Sequence, residues 1–159
     1  MIEATLSVSV GAVMSRGASD AARYVGRRSE EATRRLRNSA FLGLRSVLEE
    51  LVAVAEECAL PNWDGHGAAP ITEAVLREAY RVLESTPMGF PSASLGAEPD
   101  GQITLEWHMS PRRTLSVSVS AEGELHYAAI LGASKVYGTE PFLGDFPKAI
   151  LDLIRRVFT

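Results

Sequence analysis

Cysteine is almost absent from this chain, because Cys58 is the only one in 159 residues. No disulfide can form within the chain, and no cysteine cage for zinc exists. We therefore expect a reducing compartment, the cytoplasm. Long apolar runs are also absent, since none approaches the roughly 20 residues that cross a bilayer, and no membrane contact is expected. The N-terminus has Glu3 and no basic leader, so it does not resemble a signal peptide.

Established catalytic and cofactor motifs are missing as well. Gly65-His66-Gly67 lacks the glycine, lysine and hydroxyl residue that complete a phosphate-binding loop. Ser46, Ser110 and Ser134 lack the nucleophile elbow of hydrolases. No two histidines have the His-x-x-x-His spacing of a zinc-binding helix. No cofactor is expected, and an enzymatic function is an alternative rather than the preferred hypothesis.

Charge is unevenly divided along the chain, although the net charge is only −4. Residues 16–45 carry eight arginines against three acidic residues, a balance of +5, and residues 46–159 carry eight basic against sixteen acidic residues, a balance of −8. A basic arm on an acidic body predicts nucleic acid or an acidic partner for the arm. The alternatives are a solvated helix face, or an arm folded onto its own body. The nucleic-acid candidates are Arg23, Arg27, Arg28, Arg34, Arg35 and Arg37.

The arm, residues 1–40, is predicted to contain a strand and short helical segments. Ala4–Val10 alternates strictly between apolar and polar residues, which predicts a strand. Its neighbour is not evident, and pairing with another subunit in a homodimer is one alternative. Helical segments follow, the first weakened or ended at Gly26 and the second starting at Ser29. This order of a strand and two helices loosely resembles a ribbon-helix-helix DNA-binding arm, which would imply a DNA-binding dimer.

Three helices are predicted in residues 41–159 from apolar residues at intervals of three and four. The first runs from Phe41 to Cys58 and ends before Pro61. Thr72 caps the second, and the last begins around Pro147. The predicted buried stripes are Phe41, Leu44, Leu48, Leu51, Ala55 and Cys58, then Val75, Ala79, Val82 and Leu83, and finally Ile150, Leu153, Ile154 and Val157.

Between the second and third helices the pattern changes to the alternation of antiparallel strands. Ala93, Leu95 and Ala97 permit a short strand ahead of a turn at Glu98–Gly101. The main alternation follows that turn, and Val136-Tyr137 can add a fourth or fifth strand. The predicted inward residues are Ile103, Leu105, Trp107, Met109, Leu115, Val117, Val119, Leu125, Tyr127 and Ala129. The expected fold class is α+β, with two helices, an antiparallel meander of three to five strands and a C-terminal helix, preceded by the basic arm.

Several separated motifs are notable along residues 41–159. They are Asn62-Trp63-Asp64-Gly65-x-Gly67-Ala68, Pro70-Ile71, Asp100-Gly101-x-Ile103-x-Leu105-Glu106-Trp107, Gly138-Thr139-Glu140-Pro141-Phe142 and Leu153-Ile154-Arg155-Arg156-Val157. Taken in order, they resemble an uncharacterised family of small bacterial proteins. The resemblance implies a bacterial origin and a gene-pair or mobile-element setting, but no established activity.

The loop Asn62–Ala68 is the first candidate site. Turn chemistry explains most of it, because Trp63 can plug a gap in the core while the polar side chains bond their own backbone and the glycines take positive φ. The functional alternative has Asp64 and His66 exposed at the loop tip, within reach of a ligand.

Glu106 and His108 form a second candidate group, because residues two apart on a strand share one face. With Asp64 and His66 they form a hypothetical carboxylate and imidazole cluster for a divalent metal, in which His66, Glu106 and His108 would be ligands. Water on such a metal would be a hydrolytic nucleophile. Polar residues on an open sheet face are, however, also expected without any function.

The third candidate is Gly138–Phe142, predicted as a loop that leads into the last helix, with Phe142 packed and Glu140 able to join the polar patch. The preferred hypothesis is a non-enzymatic bacterial interaction or regulatory protein, antitoxin-like or one member of a gene pair, whose body binds a partner protein. The alternatives are a dimeric DNA-binding regulator acting through residues 16–45, and a small metal-dependent hydrolase. The partner- or ligand-binding candidates are Asn62, Trp63, Asp64, His66, Glu106, His108 and Glu140.

Overall fold

A computed structural model describes the backbone of residues 20–159 and, before residue 43, the side chains of only Arg27, Glu30, Glu31 and Arg34. The elements are α1 (Asp20–Glu57), α2 (Glu73–Glu84), β1 (Ser94–Ala97), β2 (Ile103–Ser110), β3 (Arg113–Val119), β4 (Glu124–Leu131), β5 (Ser134–Pro141) and α3 (Lys148–Val157). The strands form one antiparallel sheet in the order β1 to β5. The predicted α+β class is therefore confirmed. The strand expected at Ala4–Val10 lies outside the described residues, and none of the described helices has the length and apolar character needed to span a bilayer.

Helix α1 is continuous where the sequence predicted several shorter segments. It runs from Asp20 through Gly26 and Ser29 to Glu57, so the predicted interruption at Gly26 and the new start at Ser29 are wrong. A glycine inside a helix costs only about 1 kcal/mol relative to alanine, which is too little to end a helix that continues on both sides. The chain divides into two units, residues 1–36 and 37–159, whereas the sequence analysis placed the boundary after residue 40.

Helices α2 and α3 bury the residues that their spacing predicted. Thr72 caps α2, because its side-chain oxygen accepts a hydrogen bond from the N–H of Val75 at 3.4 Å. Pro147 precedes the first residue of α3, where its missing N–H leaves no donor unpaired. The buried residues are Val75, Ala79, Val82 and Leu83 in α2, and Ile150, Leu153, Ile154 and Val157 in α3.

One face of the sheet carries the hydrophobic core, and α2 and α3 pack on it. Its buried residues are Ile103, Leu105 and Trp107 of β2, Leu115, Val117 and Val119 of β3, and Leu125 and Ala129 of β4. Trp107 lies among them, with its Nε1 donating to the carbonyl of Pro91 at 2.8 Å and its ring edge-on to Phe146 at a centroid distance of 6.3 Å. The alternation predicted from the sequence is thus confirmed for most of the strands.

Two parts of the sheet differ from the prediction. Met109 is 61% exposed, because the register shifts between His108 and Ser110 and a bulge interrupts the alternation there. Residues 138–141 belong to β5 and are not a loop, although Phe142 is buried as predicted. Glycine and proline usually weaken or end a strand. Gly138 is tolerated because the ring of Tyr127 occupies the space of a side chain, so that a Cβ there would lie 2.5 Å from the Tyr127 hydroxyl.

The C-terminal half of α1 attaches to the core and to β1. Val47 and Leu51 are buried, although only Leu51 was in the predicted stripe. A carboxylate oxygen of Glu50 accepts a hydrogen bond from the N–H of Leu95 at 2.9 Å. Because β1 is an edge strand of the sheet, this hydrogen bond satisfies a backbone donor that would otherwise be free to pair with another strand.

Candidate functional site

The Asn62–Ala68 loop is closed by hydrogen bonds among its own residues. The side-chain oxygen of Asn62 accepts from the N–H of Gly67 at 2.7 Å, and the N–H of Asn62 donates to the carbonyl of Ala68 at 2.8 Å. Asn62, Gly65 and Gly67 have φ angles of 64°, 75° and 94°. The positive φ predicted for the two glycines is therefore confirmed, and the loop is a compact turn.

Asp64 and His66 both contact the backbone of this turn. One oxygen of Asp64 accepts from the N–H of His66 at 2.8 Å and from the N–H of Ala68 at 3.0 Å. The hydrogen bond from the N–H of His66, and to a smaller extent the one from Ala68, holds the pKa of Asp64 below its ordinary value. His66 is exposed, and its Nδ1 lies 2.8 Å from the carbonyl oxygen of Asp64. The carboxylate considered for ligand binding thus has a role in holding the turn.

We expect the replacement Asp64→Ala to destabilise the protein at neutral pH, because two backbone N–H groups lose their acceptor. Since the folded-state pKa of Asp64 is lowered, its stabilisation is fully present above the ordinary aspartate pKa of about 3.9 and is lost as the pH falls through the lower folded-state pKa. Urea unfolding of both proteins from neutral to acidic pH measures this. The matched variant Asp64→Asn keeps an acceptor oxygen but cannot titrate. A wild-type advantage over Asp64→Asn that does not shrink in acid would contradict the assignment.

Trp63 anchors the turn to the rest of the domain. Its side chain is half-buried against the core, and its Nε1 donates to the carbonyl of Ala69 at 2.9 Å. The N–H of Ala69 donates to the carbonyl of Pro99 at 2.8 Å, and the N–H of Ile71 donates to the carbonyl of Cys58 at 2.9 Å. The turn therefore lies beside the β1–β2 connection and the end of α1, which agrees with the structural role predicted for Trp63.

Glu106 and His108 lie on the sheet face opposite the buried Trp107, as their spacing predicted. Glu106 is half-buried, and the hydroxyl of Ser116 lies 3.5 Å from its carboxylate. His108 is exposed, with its Nδ1 2.9 Å from the hydroxyl of Thr114. Both contacts join cross-strand neighbours on β2 and β3, so each side chain is paired within its own row of the sheet.

The structure does not bring the four proposed metal-binding residues together. The loop is fixed at Pro99, beside one end of β2, whereas His108 lies near the other end, roughly 15–20 Å away at about 3.4 Å per residue. Within residues 20–159, as far as their side chains are described, no group of three or more His, Cys, Asp or Glu side chains is placed to hold a metal ion. Glu140 is the register partner of Leu125, so it lies on the face opposite Glu106. The predicted polar patch is not formed.

Two of the nucleic-acid candidates have described side chains. Arg27 and Arg34 are both exposed on α1. Seven residues are close to two helical turns, so the two arginines share one face of the helix. The side chains of Arg23, Arg28, Arg35 and Arg37 lie outside the described part of the structure.

The surface that the sequence analysis missed is the outer edge of β5. Among the five strands and helices α2 and α3, β5 contacts only β4, so none of these elements covers its other side. Tyr137, in the middle of β5, is 83% exposed. A sequence signal exists, because Gly132-Ala133 is a two-residue connection between two runs with strand-forming residues, which is typical of a hairpin.

The turn geometry indicates which backbone groups of β5 point outward. Leu131 and Ser134 are register partners across the two-residue turn, and Gly132 has a φ of 69° at its first position, as in a type II′ hairpin. In that arrangement the pair that flanks the turn is hydrogen-bonded, and bonding to β4 then alternates along the strand. The N–H and C=O groups of Lys135, Tyr137 and Thr139 therefore point toward the free edge.

The antiparallel order collects charges of opposite sign at the two ends of the sheet. At one end the N–H of Gly132 donates to the carbonyl of Arg112 at 2.7 Å, and the Arg113 guanidinium donates to the carbonyl of Arg156 at 3.3 Å. We define this basic end by Arg112, Arg113, Lys135, Arg155 and Arg156. The opposite, acidic end contains the β1–β2 and β3–β4 turns, and we define it by Glu98, Asp100, Glu122, Glu124 and Glu140.

No protein-family model, curated protein or solved structure matches this chain. The class of the protein is therefore defined by its own architecture, an α+β domain with a five-stranded antiparallel meander and helices packed on its core face. The resemblance to a family of small bacterial proteins stays a prediction.

Proposed function

We propose that this protein is a non-enzymatic interaction protein, which binds a partner protein by strand addition at β5. The observation that carries the proposal is the difference between the two sheet edges. A carboxylate oxygen of Glu50 occupies one backbone donor of the β1 edge, whereas β5 contacts neither α2 nor α3, nor any strand other than β4. Exposed edges accept extended segments of other chains through backbone hydrogen bonds, and folded proteins otherwise protect them.

The free part of β5 is short and has defined limits. Eight strand residues span about 26 Å, with the charged Lys135 near one end and Pro141, which has no N–H, at the other. Both residue types limit indiscriminate pairing of sheet edges. Between them, Tyr137 presents an exposed aromatic ring of the kind that is enriched at the centres of protein interfaces. This combination favours one specific partner over aggregation.

A regulatory setting for such binding, antitoxin-like or within a gene pair, is part of the proposal by analogy alone. The acidic balance of residues 46–159 favours partners that carry basic patches, because complementary potentials steer association. A hydrolytic function through Asp64, His66, Glu106 and His108 is not proposed, since those side chains are held apart by the fold.

The variant Tyr137→Pro tests the proposal. Proline removes the outward N–H at residue 137 and leaves the bonds to β4 in place, so we expect the loss of any strand-addition partner. The matched variant Tyr137→Thr also loses the ring but keeps the N–H, and should retain more binding. The measurement is affinity capture with tagged wild type and both variants from cells of the source organism, followed by identification of the bound proteins.

The supporting result is a protein that is bound by the wild type, reduced with Tyr137→Thr and absent with Tyr137→Pro, while both variants melt within a few degrees of the wild type. Identical sets of bound proteins for all three would show that β5 is not the binding edge, and the proposed function would then be rejected.

A further inference from the structure

We propose that the strand added at β5 is the β5 of a second copy of this chain, so that two five-stranded sheets join into one continuous sheet. The inference rests on the proposed use of β5 and names the partner. The two strands run antiparallel around a two-fold axis perpendicular to the sheet. Closed two-fold pairs are the commonest protein assemblies, because one surface patch serves both subunits.

Charge complementarity favours a second copy over an unrelated chain. The basic end lies at the start of β5 and the acidic end at its finish. An antiparallel pair therefore places the basic end of each subunit beside the acidic end of the other, and the symmetry repeats this contact twice. An unrelated partner would need acidic groups beside the basic end of this sheet and basic groups beside its acidic end. A second copy of the chain has both, because the two-fold axis reverses the direction of its strand.

Lys135 and Glu124 are the side chains that define this contact most sharply. Glu124 is the register partner of Pro141, and Lys135 is the register partner of Ile130, so both belong to the rows on the open face of the sheet. Both are exposed. Among the ion pairs of the described residues, none includes Lys135, and Glu124 faces only the ring of His126 at 3.8 Å. With the two-fold axis at Tyr137, each Lys135 is opposite the partner's Thr139, and the partner's Glu124 lies one strand further in, roughly 10–12 Å away between Cα atoms at about 4.8 Å per strand.

Tyr137 occupies the middle of the contact. A two-fold axis perpendicular to the sheet leaves the open faces of both copies on the same side. If the axis passes near the centre of β5, the two Tyr137 rings therefore lie next to each other on that face. Each ring is 83% exposed in the single chain, and its burial against the second ring would remove apolar surface from water while the hydroxyls stay at the rim. The backbone groups of Lys135, Tyr137 and Thr139 that point outward would bond the second copy.

Sedimentation of the purified full-length chain over a concentration series tests the inference. We expect a reversible monomer–dimer equilibrium that weakens when salt is added, since the contacts are exposed charges. The replacements Lys135→Glu and Glu124→Lys should each raise the dimer dissociation constant by about threefold or more at low salt, because each brings two pairs of like charges within roughly one Debye length of about 10 Å. The control Glu73→Lys makes the same charge change at an exposed position of α2, outside the acidic end, and should have a much smaller effect.

An equimolar mixture of the Lys135→Glu and Glu124→Lys proteins gives the decisive result. In the mixed dimer both contacts join opposite charges again, so association should return to near the wild-type dissociation constant. A nearby contact of another kind would not predict this rescue. If the mixture associates no better than the separate variants, the pairing is wrong.

Three further outcomes separate this inference from the proposed function. A wild type that stays monomeric at every concentration overturns the inference, but the proposed function survives if capture still finds a partner that Tyr137→Pro abolishes. A dimer that persists in Tyr137→Pro overturns the inference, because its interface lies elsewhere. A dimer that is lost in Tyr137→Pro, and retained in part in Tyr137→Thr, supports both.

Discussion

Replacing Trp107 with alanine is expected to lower the free energy of unfolding by about 3–5 kcal/mol. The indole is only 2% exposed, so its removal leaves a cavity among well-packed strand residues. The edge-on contact with Phe146 and the hydrogen bond to the carbonyl of Pro91 are lost at the same time. Urea unfolding, followed by the far-ultraviolet signal and extrapolated to water, measures the change.

Met109→Ala is the matched control for Trp107→Ala. Trp107 and Met109 are two residues apart on β2, and the alternation of the sequence predicted that both face the core. Met109 lies beyond the bulge, however, and is 61% exposed. Its replacement should change stability by no more than about 0.5 kcal/mol. A further variant, Trp107→Phe, fills most of the cavity and leaves the Pro91 carbonyl without its donor, so it should cost an intermediate amount. Equal effects of Trp107→Ala and Met109→Ala would mean that the bulge is misplaced.

The second large effect is expected at Glu50, where alanine should destabilise the protein by about 1.5–3 kcal/mol, as for hydrogen bonds to charged groups. The half-buried carboxylate is the acceptor for the Leu95 N–H at 2.9 Å. Glu50→Ala leaves this edge donor of β1 unpaired. The same variant opens a second sheet edge, so we also expect more aggregation at high concentration. Urea unfolding and light scattering measure the two effects.

Two variants separate the hydrogen bond of Glu50 from its charge. Glu50→Gln keeps an acceptor oxygen and should retain most of the stability. Glu49→Ala removes the next carboxylate along α1, whose side chain is 66% exposed and paired with Arg45 at 2.9 Å, and should cost at most about 1 kcal/mol. If Glu50→Gln is as unstable as Glu50→Ala, charge rather than the acceptor is what fixes α1 to β1.

The Glu50 contact and the free edge of β5 together decide which edge of the sheet is available to another chain. A five-stranded open sheet has two edges, and among the described side chains a helix carboxylate bonds the backbone of the β1 edge only. If Glu50 restricts pairing to β5, opening the β1 edge should produce larger and less defined assemblies than the dimer, because a subunit with two free edges can extend a chain of subunits. The light-scattering measurement on Glu50→Ala therefore bears on the assembly as well as on stability.

The Asn62–Ala68 loop shows which contacts can be predicted from residues that are close in sequence. Asn62, Asp64 and the two glycines were expected to form turns, and they do, because a side-chain oxygen that bonds a backbone N–H a few residues away needs no distant partner. The metal hypothesis required Asp64 and His66 to meet Glu106 and His108, and spacing along the chain contains no information about that distance. The fold holds the two groups at different places along β2.

By itself the sequence determined most of the residues of α2, α3 and the first four strands that face the core, with Met109 as the exception, since periods of 3.6 and 2 are properties of each element alone. Only the tertiary structure decided that α1 continues through Gly26, that Gly138 can sit in a strand against Tyr127, and that Glu50 bonds Leu95 across 45 residues. It also gathered scattered charges into a basic and an acidic end. Apart from the continuity of α1, each of these features brings together residues that are far apart in the chain. The spacing of residues along the sequence does not show which distant residues will meet.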